Sequence, residues 1–364
     1  MRRFAQHILI CATLCFSLLA CNVHQWPDAA DVVEVDLHLE FNETIEPLTT
    51  VNRASEFSAT SYDDYDIRYI IRAYKIKDNG YLYSEPVDYG NDIFINPVAS
   101  GDRNYDAKIF LPPGKYRIYA WADYVDNDSL SDKFYLTGDF AKVDIARDAD
   151  DKHIIGNNEY RDAFNGHVDV EVLPVYETDV PPVEGHIEMK RPLAKFEFIT
   201  DDLDEFVARV LEKKALEAQA SGEVLPEEAL KPSSVDLNEF RIVIRHMGFM
   251  PDLFSLLDHT GGVEGNPIYS TPSVSFESRI QRINQTEASL GFDYVFVNNN
   301  ESKLKLSVSV YNKNNTLLSS VPDVVIPIKR SKLTTIRGSF MTQSAQGGVG
   351  IEPGFEGDII FPVN

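Results

Sequence analysis

Cysteine is nearly absent. The 364 residues hold three, Cys11, Cys15 and Cys21, all at the N-terminal end. The body of the chain therefore has no thiols for a disulfide framework or a cysteine-based zinc site. Positive charge is in deficit: 34 Lys and Arg face 57 Asp and Glu, a net charge of −23. A surface that acidic repels phosphate backbones, which excludes nucleic acid as a partner. Long apolar runs are also missing, and no stretch reaches the ~20 residues that a helix needs to cross a bilayer. The sequence contains no G-x-S-x-G elbow, Walker loop, G-x-G-x-x-G or H-E-x-x-H, the local signatures of common catalytic and nucleotide sites. His24, His38, His153, His167, His186, His246 and His259 never fall three or four apart on an expected helix, so metal-ligand spacing is missing too. The chain reads as non-enzymatic, without cofactor or metal. Hydrophobic residues at 43% and charged residues at 25% exclude wholesale disorder. The length suits about two domains of ~150 residues.

The N-terminus carries the most specific signal. Arg2 and Arg3 precede an apolar run from Ile8 to Ala20 broken only by Thr13 and Ser17. The run is too short to span a bilayer as a helix and fits a secretory leader. It ends in Leu18-Leu19-Ala20-Cys21, which matches the bacterial lipobox. Residues 1–20 are the expected signal peptide, cut between Ala20 and Cys21. The Cys21 thiol is the expected lipidation site, and its freed amine accepts a further acyl chain such as palmitate. Each buried methylene contributes roughly 0.8 kcal/mol, so two or three chains hold a soluble body on a membrane. Loss of Arg2 and Arg3 takes the net charge to −25.

Residues 21–31 read as a tether. Val33, Val35, Leu37, Leu39 and Phe41 then alternate with Glu34, Asp36, His38 and Glu40, the period of a half-buried strand. Residues 67–77 form the next strand, with a turn at Asp78-Asn79-Gly80. Residues 107–111 and 115–124 flank the turn Pro112-Pro113-Gly114. Residues 168–175 and 185–189 follow, and Pro181-Pro182 between them suggests a boundary: an N-terminal domain over 32–182 and a C-terminal domain over 183–364. Residues 192–199 alternate again. Leu203, Phe206, Val207, Val210 and Leu211 make the apolar stripe of a helix over about 203–220. Asp202 with Glu205 is expected to form its capping box, and Gly222 to stop it. Further strands are expected at 240–246, 274–277, 291–297, 303–311, 324–328, 333–341 and 357–361. Many short strands with one long helix give a mainly β chain of two β-sandwiches, the second with a helical insertion.

Two clusters invite a chemical reading. Asp123, Asp126, Asp128 and Asp132 could ligate calcium, but the Gly of an EF-hand loop is missing, and solvated loops suit so acidic a chain. Tyr116, Tyr119, Trp121 and Tyr124 lie on one strong strand. Such rings fill sandwich cores. If Tyr119, Trp121 and Tyr124 were exposed in a row, they could instead stack sugar rings.

Several segments resemble one family. Val325-Ile326-Pro327-Ile328-Lys329-Arg330, continuing through Leu333-Thr334-Thr335 and Gly338 to Met341-Thr342, resembles the C-terminal domain of fimbrillin-like proteins of Bacteroides-type bacteria. Arg191-Pro192-Leu193-Ala194-Lys195-Phe196 resembles the strand that opens their second domain. Tyr119 to Tyr124, Asp162-Ala163-Phe164 and Gly354-Phe355-Glu356-Gly357-Asp358 resemble a lipoprotein branch of that superfamily. The resemblance covers essentially the whole mature chain. It implies two transthyretin-like Greek-key sandwiches, an outer-membrane lipid anchor, and a part in adhesion or fimbrial assembly with fimbrial subunits or surface ligands as partners. The alternative is a surface glycan-binding lipoprotein of a nutrient-uptake system. By the same resemblance Arg53 is the matching maturation-protease site, after which strand exchange can proceed. Asp128-Ser129-Leu130 resembles the O-glycosylation site of such bacteria, at Ser129. Two departures stand out. Only seven residues follow Gly357, too few for a long donor strand, which favours an anchor, a tip or a stand-alone role. Asn22-Val23-His24-Gln25 also lacks the acidic signal the group uses for surface export.

Overall fold

The computed structural model of the chain describes residues 32–48, 65–88, 92–97, 103–150, 152–175, 181–248, 250–261, 274–297, 301–343 and 359–360. Ala20, Cys21, the tether and Arg53 lie outside them. The chain is mainly β. Its strands are β1 (Val33–Phe41), β2 (Glu46–Pro47), β3 (Tyr65–Lys75), β4 (Asp92–Pro97), β5 (Tyr105–Leu111), β6 (Gly114–Asp126), β7 (Tyr135–Leu136), β8 (Val143–Ile145), β9 (Phe164–Val172), β10 (Val183–Met189) and β11 (Leu193–Thr200). Helix α1 (Leu203–Ser221) follows. Then come β12 (Phe240–His246), β13 (Leu253–Ser255), β14 (Thr260–Gly261), β15 (Ser275–Arg279), β16 (Gln281–Arg282), β17 (Ala288–Phe296), β18 (Glu301–Asn312), β19 (Leu317–Lys329), β20 (Lys332–Gly338) and β21 (Ile359–Ile360).

The first half packs two sheets face to face. One is the antiparallel β4-β3-β6-β9, the other β10-β1-β5. Rings join them: Tyr69 of β3 stacks on Tyr105 of β5 at 4.5 Å, and Phe41 of β1 meets Phe164 of β9 at 5.1 Å. β1 buries Val35, Leu37 and Leu39 and turns its charged alternates outward. β5 and β6 lie in different sheets, so Pro112-Pro113-Gly114 carries the chain across the core. The division expected between Pro182 and Val183 cuts a sheet. β10 runs parallel to β1 from Val35↔Val183 to Phe41↔Met189, with Gly185, Ile187 and Met189 turned inward opposite Leu37, Leu39 and Phe41. β9 and β10 approach closely at Gly166, where a Cβ would sit 2.5 Å from the Glu188 carbonyl oxygen. Any side chain at 166 would force the two strands apart.

In the second half, β16-β17-β11-β20-β2 forms one sheet, with β21 also pairing β20, and β15-β12-β18-β19 forms another. Phe196 of β11 and Phe276 of β15 meet across the core at 6.4 Å. Helix α1 sets Phe206 edge-on against Phe240 and ends at Gly222, whose φ of 73° suits a residue without Cβ. The capping box does not form. The Asp202 carboxylate makes no cap bond to the helix. It accepts from Met341 N at 3.1 Å, Thr342 N at 2.8 Å and Thr342 Oγ1 at 2.7 Å. Stitching the end of β20's extension satisfies that carboxylate better than one frayed helix turn. No helix among the described residues is long and apolar enough to cross a membrane. A small sheet, β14-β13-β8-β7, draws β7 and β8 from the first half and β13 and β14 from the second.

Candidate functional site

A short segment, the latch, joins the two halves alongside the small β14-β13-β8-β7 sheet and the pairing of β2 with β20. Within residues 157–162 Glu159–Arg161 make a single turn of 3-10 helix, with the Asn158 side chain capping Tyr160 N. Every second residue reaches into the second half. Asn157 exchanges hydrogen bonds with the Phe292 backbone. Glu159 accepts from Lys195 Nζ and from the Tyr294 hydroxyl, both at 2.6 Å. Arg161 pairs with Asp293 of β17, side chains 1% and 0% exposed. Asp162 receives both arms of the Arg191 fork at 2.6 Å. Arg147 and Asp252 form another buried pair between the halves.

His246 is buried under these pairs. Neither ring nitrogen has a hydrogen-bond partner among the described residues. Burial, reinforced by the Arg161 and Arg147 guanidiniums, pushes its pKa down to about 3. The unfolded chain then takes up a proton below pH 6.5 that the folded chain refuses, so this group costs stability as pH falls from 6.5 towards 3. Burial raises Asp293 to about 6 against the pull of Arg161, which acts in the opposite sense between about 6 and 4. His246→Leu removes the first effect alone. Urea titrations at pH 7, 6 and 5 should show the variant gaining on the parent by ~0.7 kcal/mol from pH 7 to 6 and ~1.2 kcal/mol from pH 6 to 5. A gap that does not change with pH would show that the buried imidazole titrates normally.

Beside the latch lies a cleft of about 650 Å³ at the junction. Its walls come from the chain after β1, from β9, from the β10–β11 corner and from the β19–β20 turn. Lys190, Arg191, Arg330 and Lys332 face a single carboxylate, Glu188. The imidazoles of His167 and His259 meet with 3.0 Å between Nε2 of His259 and Nδ1 of His167. Burial first, with neighbouring cations, holds both below the ordinary histidine range, so they are neutral at pH 7. His259 at φ 53° and Ser331 at φ 57° both stand in the left-handed region, strain of the kind that concentrates at binding sites. Arg330 donates through Nη2 to the carbonyls of His259 at 2.7 Å and Val297 at 3.3 Å, and its guanidinium lies over the Phe254 ring.

The sites expected from sequence are scattered. Tyr119, Trp121 and Tyr124 are 1%, 0% and 4% exposed, so they cannot stack a sugar. They are core rings: Trp121 packs on Tyr135 and Phe296, and Tyr124 on Tyr160. Ser129 is half-buried in the turn after β6, its Oγ accepting from Ser131 N at 3.1 Å, next to an exposed Leu130. In the acidic run Asp126, Asp128 and Asp132 are exposed, as solvated loops require, and Asp123 is the exception. Asp123 is buried and takes the Arg68 fork at 2.9 and 2.7 Å, and Asp132 takes a third Arg68 nitrogen at 2.9 Å. Among the described residues no three His, Cys, Asp or Glu side chains gather as metal ligands. Sequence reasoning missed the latch and the cleft alike. His167, His259 and Arg330 are far apart in the chain, and the one available hint was basic Lys329-Arg330 and Lys332 in so acidic a sequence.

No curated protein matches the chain. The chain aligns with solved structures that include a candidate cell adhesion protein from Bacteroides ovatus, at 12% identity and TM-score 0.39, covering 83% of this chain and 91% of that one. The fimbrial anchor protein Mfa2 from Porphyromonas gingivalis aligns at 11% identity and TM-score 0.37, covering 79% and 81%. The C-terminally truncated tip fimbrial protein Mfa3 of the same organism aligns at 10% identity and TM-score 0.33, covering 84% and 94%. One family model runs from residue 27 to residue 363, through both halves and the latch between them, and the chain thereby belongs to the family of unknown function DUF6562.

Proposed function

We propose that the protein is a non-enzymatic, fimbrillin-like lipoprotein of the outer membrane that acts at the cell surface in adhesion or fimbrial assembly, as an anchor, a tip or a stand-alone surface protein. The observation that carries this reading is the lipobox Leu18-Leu19-Ala20-Cys21 ahead of a mainly β body. The segments that resemble fimbrillins support it, and so does their placement: Arg191-Pro192 leads directly into β11, and Thr334-Thr335 lies within β20. The body is read as two transthyretin-like sandwiches. Arg53 as a maturation site and Ser129 as a glycosylation site belong to the same proposal. The glycan-uptake alternative loses the aromatic platform on which it rested.

Cys21→Ser tests the anchor. Two or three acyl chains hold a protein on a bilayer and none does. The variant, expressed in its native host, should move from the membrane fraction to the soluble fraction, while the parent stays with membranes. Protease shaving of intact cells should then remove the parent from the surface. Membrane retention of the variant would overturn the lipid anchor, and full protection in intact cells would overturn surface display.

A further inference from the structure

We propose that the junction cleft binds an anionic sugar, a monosaccharide or chain end bearing a carboxylate such as a uronic acid, with the Arg330 guanidinium taking the carboxylate. This goes beyond the surface-anchor reading and stands without it.

The argument starts from charge. In a chain with net charge −23, four cationic side chains converge on one cleft that holds one carboxylate. Three of the four are already engaged: Lys190 pairs with Glu188 at 2.7 Å, Arg191 with Asp162, and Lys332 has a partner of its own. Arg330 is not. It has no carboxylate within ion-pair distance among the described residues, its Nε is buried without a hydrogen-bond partner, and its only bonds are to two backbone carbonyls. Burial with no compensating anion disfavours its charged form. A desolvated guanidinium lacking a counter-ion is costly, and an arriving carboxylate supplies the missing charge through a charge-assisted hydrogen bond.

The rest of the lining says what else the ligand carries. Asn42, Thr44, Asn165 and Ser331 present amides and hydroxyls to the same space. Such groups, both donors and acceptors, pair with sugar hydroxyls. A volume of about 650 Å³ lies in the range of small-molecule sites, and a bare inorganic anion would fill only a corner of it. The walls are rigid: Gly166 lets β9 and β10 close up, and the latch fixes the two halves that meet there.

The test is calorimetric titration of the purified protein at pH 7 with D-glucuronate, D-glucose and sodium sulfate. Glucuronate should bind saturably, and about tenfold more tightly than either control, the worth of one charge-assisted hydrogen bond. Arg330→Gln should weaken glucuronate by about tenfold and leave glucose unchanged. Arg330 also braces the loop at His259, so His167→Ala serves as a second variant. It removes a wall of the cleft and should weaken glucuronate by about threefold, roughly one neutral hydrogen bond. The proposal is overturned if glucuronate does not bind, or if glucose or sulfate binds as well. It is equally overturned if folded Arg330→Gln keeps the parent's affinity, or if Arg330→Gln fails to fold and His167→Ala binds like the parent. None of these outcomes bears on the fractionation of Cys21→Ser.

Discussion

Arg161→Met should cost the folded chain about 3–5 kcal/mol, measured as the loss in urea-unfolding free energy, because it strands Asp293 as a buried unpaired carboxylate. Both side chains are essentially without solvent contact. The pair is also incomplete, since Arg161 Nη2 and Asp293 Oδ2 have no further partner among the described residues. An ion pair in that state contributes little net stability of its own, since desolvation offsets most of the attraction. Asp293→Leu alone should therefore also be destabilising, whereas Arg161→Met with Asp293→Leu should return close to the parent. The coupling energy from this cycle should be large, several times the few tenths found for independent sites. An Arg161→Met chain as stable as the parent would show that the latch does not bind the halves.

Trp121→Ala should cost about 3–5 kcal/mol as well, by a different route: lost transfer energy plus a cavity that its surroundings cannot close. Trp121 lies edge-on to Tyr135 at 5.4 Å and tilts against Phe296 of β17 at 6.4 Å. The ring therefore belongs to the first half and packs against the second. An exposed sugar-stacking Trp would change stability by no more than about 0.5 kcal/mol on removal. The chain has two Trp, at 26 and 121. In a Trp26→Phe background, the emission of Trp121 should be blue-shifted and shielded from iodide until the protein unfolds.

What could be read from sequence was what repeats locally. The period-two pattern of residues 33–41 gives β1 to the residue, and the 0, 3, 4, 7, 8 spacing after Leu203 gives α1 with its stop at Gly222. Pairing partners could not be read this way. Pro112-Pro113-Gly114 looks like any turn between two strands, and only the packing of Tyr69 on Tyr105 places those strands in different sheets. β10 looks like the start of a new unit because two prolines precede it, yet its alternation matches that of β1. β7, β8, β13 and β14 are two or three residues long, too short to show a period. The capping motif at Asp202 failed because the carboxylate found backbone donors from residues 341 and 342, and nothing nearby in sequence announces them. The latch and the cleft are assembled from separate segments of the chain, Glu159 with Tyr294 and His167 with His259 among them, and each is an ordinary polar residue in its own segment.

The position of β1 has a mechanical consequence. For a chain anchored at Cys21, any pull between membrane and body enters at Val33 and runs along β1. That strand has a neighbour on each side, β5 antiparallel and β10 parallel, each paired over seven residues. Force along the strand axis loads both ladders in shear, so many hydrogen bonds must fail together instead of opening one after another as in a peeled hairpin. In a chain so anchored, β1 would be the strand that carries traction, and the lifetime under load would follow the rate at which β1 slips, a kinetic quantity separate from equilibrium stability.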